Sequence, residues 1–138
     1  QGAGKGVVVS GGLVISLLLG AVGRDVTHVI WERLVSANNI RPLSPTDTLG
    51  AISHVTAARS VAGRPDLEVL TLKSLGLKNI SPARELAGTA LPRALFGRKR
   101  LGAAGYDALC REHGAPHLEG RIVCDVVRHI VRTRAPSP

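Results

Sequence analysis

A chain of 138 residues has room for one small domain plus an accessory segment, and not for two full domains. Its 44% hydrophobic content suffices for a core, yet one Phe, one Trp and one Tyr leave that core to Leu, Val, Ile and Ala, a composition that suits helix packing better than a β-sandwich. A formal net charge of +8, from 18 Lys and Arg against 10 Asp and Glu, favours acidic partners such as nucleic acid, anionic lipid or an acidic protein surface, and two cysteines exclude a disulfide scaffold.

Residues 1–5 (QGAGK) read as a flexible, glycine-rich arm, without the residue order of a phosphate loop. The next eighteen residues, 6–23 (GVVVSGGLVISLLLGAVG), carry no charge and contain ten Val, Leu or Ile. As a helix they would extend roughly 27 Å, close to the ~30 Å hydrocarbon core of a bilayer. Their apolar side chains would contribute roughly 3 to 6 kcal/mol to insertion, eroded by five glycines. Gly12, Ser16 and Gly20 recur every four positions, a small-residue stripe of the kind that lets helices pack closely in lipid. The span is therefore expected to be a transmembrane helix; the other reading makes it a buried element of a globular core. No methionine stands at position 1, which is expected of a chain whose start has been removed, either with a targeting presequence or by trimming.

Residues 24–133 are expected to form a small irregular helical domain of four to five short helices, with 134–138 a tail, so that the fold class is mainly α. Arg24–Asn39 reads as an amphipathic helix with Val26, Val29, Ile30 and Leu34 on one side. Trp31 stands where a bilayer interface or a core would hold an indole. Basic residues are more frequent after the apolar run than before it, which orients the bulk of the chain to the cytoplasmic or matrix side. Ser44-Pro45-Thr46-Asp47 has the pattern of a helix start, and the helix is expected to run to Val61. Ser81-Pro82 opens another through Leu91.

Between these starts, Leu67, Leu70, Leu72, Leu75, Leu77 and Ile80 make a stretch that resembles one leucine-rich repeat, with Leu75 where that family has Asn. A single copy cannot build a solenoid, and the alternative is a short helix or a strand and turn with its leucines inward. Tyr106–Glu112 reads as a short helix. Pro116–Arg132 reads as the last one, with Leu118, Ile122, Val123, Val126, Val127, Ile130 and Val131 in a broad apolar stripe.

Candidate sites are few. Cys110, His113, His117 and Cys124 are weak candidates for a metal site, because their spacing matches no zinc motif. His28, His54, His113, His117 and His129 are candidate bases, but no nucleophile or metal motif accompanies them, so no catalytic residue, no cofactor and no enzyme activity is expected. Arg98, Lys99 and Arg100 form the densest basic patch and are the candidate contact for an anionic partner. The stretch around them is loosely similar to a helix-turn-helix, with Pro92 inside the would-be reading helix.

Together these features point to a non-catalytic accessory or structural subunit of a larger membrane complex. Its expected place is the mitochondrial inner membrane, with the bulk of the chain in the matrix, and its partners are other protein subunits and lipid. The alternative is a basic helical protein that contacts nucleic-acid backbone in a ribonucleoprotein such as an organellar ribosome.

Overall fold

The computed structural model describes residues 10–23 and 26–134. The arm at 1–5, the first part of the apolar run, Arg24, Asp25 and most of the tail lie outside these residues.

The apolar run does form a helix, α1 (Gly11–Val22), but one of 12 residues, about 18 Å long. Ser10 caps it, its Oγ accepting the Leu13 N–H at 3.3 Å. Val14, Leu18 and Val22, four apart, form one stripe that is 2%, 0% and 1% exposed. That stripe packs with Leu43, Val123, Cys124 and Val126 of the same chain. Among the described residues no helix is long and apolar enough to cross a membrane. The expected transmembrane helix over 6–23 is thus corrected: the described helix is short and docks its Val14, Leu18 and Val22 stripe on the protein's own sheet, which removes the basis for placing the chain in the mitochondrial inner membrane.

The mainly α fold class is corrected as well. Four antiparallel strands, β1 (Val29–Asn39), β2 (Leu49–Val61), β3 (Arg64–Lys78) and β4 (Ile122–Thr133), form one sheet in the order β1-β4-β3-β2. Three stretches expected as helices are therefore strands. In β4 the reason is visible in composition: Ile122, Val123, Val126, Val127, Ile130, Val131 and Thr133 are β-branched and favour a pleated sheet. β4 is central, pairing with β1 on one side and β3 on the other, and both its faces are largely buried. A strand covered on both faces loses its alternating polarity, and its apolar residues then coincide by chance with a helical stripe. The leucine-rich stretch is β3, whose leucines divide between the two faces of the sheet. Its link to β2 is a tight turn in which Gly63 takes φ +73°, a conformation that favours glycine.

Between β3 and β4 the chain leaves the sheet and returns. This excursion carries α2 (Pro82–Glu85), a 3₁₀ turn (Arg93–Phe96), α3 (Ala103–Glu112) and a second 3₁₀ turn (Pro116–Leu118). Of the helix expected from Ser81-Pro82 through Leu91 only the four residues of α2 are helical, whereas the one expected at Tyr106–Glu112 falls within α3. Leu86, Leu95, Phe96, Tyr106, Cys110 and Leu118 pack from the excursion onto Leu75, Leu77 and Ile122 of the sheet. The sheet thus lies between two covers, α1 on one face and the excursion on the other.

Candidate ligand groove

Strand register brings polar residues from distant parts of the sequence into rows on the face under the excursion. One row joins Asn38 of β1, Asp125 of β4 and Leu75 of β3. The next joins Ser36, Val127, Lys73 and His54, and His129 is paired with Thr71 beyond it. The first 3₁₀ turn and the loop after it, Phe96 to Arg100, pass over these rows.

A groove is left between the loop and the sheet. Its larger lobe, about 270 Å³, is lined by Val35, Ala57, Thr71, Phe96, Val127 and His129 among others. The adjoining lobe, about 210 Å³, is lined by Asn38, Asp125, Arg98, Lys99 and Arg100. Ser36, Lys73, Gly97, Arg98 and Val127 border both. One end is therefore mostly apolar, and the other gathers four cations beside one carboxylate.

Buried polar bonds fix the floor of the smaller lobe. Asp125, 3% exposed, accepts Tyr106 Oη at 2.5 Å and Asn38 Nδ2 at 2.9 Å. Burial, then the bond to Asp125, pushes the Tyr106 hydroxyl far above the ordinary tyrosine range, so it stays a neutral donor. Asp125 is thus committed to two donors, as a positioning group and not as a free base. Lys73 is 4% exposed; its Nζ donates to the Gly97 carbonyl at 3.0 Å and lies 5.2 Å from the centre of the Tyr106 ring. Desolvation lowers its pKa, and Asp125 partly opposes that shift.

The residues singled out from sequence are distributed as follows. Arg98, Lys99 and Arg100 are exposed and form the rim of the smaller lobe. Gly12 and Gly20 lie on the exposed side of α1 with open space at their α-carbons, and Ser16 Oγ bonds back to the Gly12 carbonyl at 2.9 Å. Cys110, on α3 of the excursion, packs against one face of the sheet and Cys124 lies beneath α1 on the other, so the sheet separates them, while His113 and His117 are exposed. Among the described residues no cluster of His, Cys, Asp and Glu is disposed to hold a metal. Burial pushes the Cys110 thiol up and the Cys124 thiol to about 11, so both are poor nucleophiles at neutral pH. His129 is the one candidate base that borders the groove.

Lys73, Asn38, Tyr106 and Asp125 belong to no motif in the sequence. The available signal was the lone lysine inside LEVLTLKSLGL: read as a strand, that stretch puts Lys73 on the same face as Leu75 and Leu77.

No family model matches the sequence. Among solved structures, the chain is similar to a MaoC-domain protein described as a dehydratase from Chloroflexus aurantiacus, with 18% identity and a TM-score of 0.61 over 94% of this chain and 30% of that one. It is also similar to a monoamine oxidase regulatory protein from Archaeoglobus fulgius, with 17% identity and a TM-score of 0.55 over 94% of this chain and 62% of that one. The chain thus spans less than two thirds of each neighbour's length. The likeness shows the fold alone, a hotdog-like one built on the antiparallel sheet. It overturns both functional expectations drawn from sequence, because each required a mainly helical chain: the membrane-complex subunit with its single span, and the helical ribonucleoprotein component.

Proposed function

We propose that the groove binds a small amphiphilic anion, its apolar chain along Val35, Ala57, Phe96 and Val127 and its charged head toward Lys73 and the Arg98–Arg100 loop. The observation that carries this reading is the union, in one continuous groove, of an apolar lobe and a lobe with four cations. A chain that leaves water for the apolar lobe gains about 0.8 kcal/mol per buried CH₂, and the head adds charge-assisted hydrogen bonds. Calorimetric titration with octyl phosphate tests it, with octanol and inorganic phosphate as controls. Octyl phosphate is expected to bind at least about tenfold more tightly than either control, since a tenfold difference needs only about 1.4 kcal/mol. Equal binding of octanol would remove the charged head from the proposal.

A second reading is dehydration, the reaction type in the description of the first neighbour. Support within this chain comes from His129, half-buried on the groove. In a 3-hydroxyacyl thioester the carbonyl acidifies the α-proton; His129 would take that proton and return it to the departing hydroxyl, leaving an enoyl product and one water. The conjugated product is followed by its absorbance. Formation abolished by His129→Ala would support this reading, and no turnover across a series of chain lengths would leave binding alone.

A further inference from the structure

The groove offers an anion two places to sit, the exposed rim of Arg98, Lys99 and Arg100 or the sheet below it. We infer that the anionic head passes the rim and is held by Lys73 on the sheet. This inference rests on the groove being a binding site, and it specifies which cation reads the ligand.

Three observations carry it. Lys73 is 4% exposed, with a single hydrogen bond, to a backbone carbonyl, so two of its three donors are unused by that bond. No carboxylate lies within 4.0 Å of its Nζ among the described residues, whereas six other cations there do have such a partner. The near candidate, Asp125, is occupied by Tyr106 and Asn38. A buried ammonium that has lost water without gaining an anion is left under-compensated, and a ligand anion supplies what is missing. Lys73 also borders both lobes, so a head placed on it leaves the apolar chain in the larger lobe. The rim cations are solvated, and an anion on them would be screened by salt.

Around the Lys73 ammonium stand Asp125 and His129 from β4, Asn38 from β1, His54 from β2, Tyr106 from α3 and Arg98 from the loop. Because desolvation lowers the Lys73 pKa, its charge is lost earlier on the alkaline side than that of an ordinary lysine. A bound anion stabilises the charged form, so affinity falls as pH rises through that range. A phosphate monoester, with a second pKa near ~6, keeps its charge throughout.

The experiment is titration of octyl phosphate into the whole chain, its Lys73→Met and Lys73→Arg variants, and the triple variant R98Q/K99Q/R100Q. Each is measured between about pH 7 and pH 10 and at low and high salt. K73M is expected to weaken binding about tenfold or more, in the range of a lost charged hydrogen bond. The triple variant is expected to lose less than about fivefold at physiological salt. K73R, which remains charged, is expected to bind with no alkaline decline, unlike the wild type, and this comparison stands even if K73M fails to fold. If K73M binds like the wild type while the triple variant loses its affinity, the head sits on the rim, and the inference falls while the groove reading stands. If octyl phosphate binds no better than octanol to any of the four proteins, both fall together.

Discussion

Leu17 and Leu18 are adjacent on α1 and chemically identical, and they separate a helix docked on its own sheet from one solvated by lipid. Leu18 is fully buried against Leu43, Val123 and Val126, whereas Leu17 is 48% exposed. Truncating a fully buried leucine removes its transfer free energy and leaves a cavity, a loss of about 2 to 5 kcal/mol. For a domain whose total stability is about 5 to 15 kcal/mol, a 3 kcal/mol loss lowers the folding equilibrium constant more than about a hundredfold. Truncating Leu17 leaves no cavity and should cost under about 1 kcal/mol. In urea, with a slope of about 1 to 3 kcal/mol/M, Leu18→Ala is expected to lower the midpoint by about 1 to 3 M at unchanged slope, and Leu17→Ala by a small fraction of that. Equal and small losses for both variants would mean that α1 is not docked on the sheet.

Two glycines should behave differently when given a side chain. At Gly50 a Cβ would lie 2.3 Å from the Ile80 carbonyl oxygen, and backbone cannot yield cheaply. At Gly76 it would lie 2.5 Å from Cys124 Sγ, a side-chain atom. Gly50→Ala is expected to destabilise by about 1 to 3 kcal/mol or more in thermal unfolding, while Gly76→Ala should be relieved by Cys124→Ala in a double-mutant cycle. Asp47 is held at a pKa of about 2, first by the Ser44 backbone N–H and then by Asn79. A carboxyl depressed in the folded state contributes stability that is complete above the unfolded value near ~4 and is lost as pH falls toward the folded one. Asp47→Asn should therefore flatten the acid limb of the stability profile between about pH 5 and pH 2, and an unchanged limb would contradict these bonds. Trp31, 53% exposed on the edge strand β1, is the sole indole. Its emission is expected to be that of a solvated indole, readily quenched by acrylamide; a blue-shifted, protected signal at low concentration would show that β1 is covered.

Local signals were legible wherever local chemistry decides. The break after Val61 at Gly63, Pro82 at the first position of α2 and a short helix through Tyr106 were visible because glycine and proline set the chain path within a few positions. The basic loop at Arg98–Arg100 was also visible, because a run of charge needs no partner to be recognised. The strands were not. Ser44-Pro45-Thr46-Asp47 carries the residues of a helix start, but Asp47 accepts from the Ser44 N–H in a turn, and β2 follows because β3 offers it an edge.

The residues alone determined that this protein has an aliphatic core, an apolar helix near its start and a cationic loop late in the chain, since composition, capping and charge act over short distances. Tertiary structure decided that the helix lies on a sheet, that its small-residue side faces outward, and that Lys73, Asn38, Tyr106 and Asp125 meet beneath the loop. Pairing across the sheet joins positions far apart in sequence, such as Asn38 and Asp125, and that energy appears only when both strands are present.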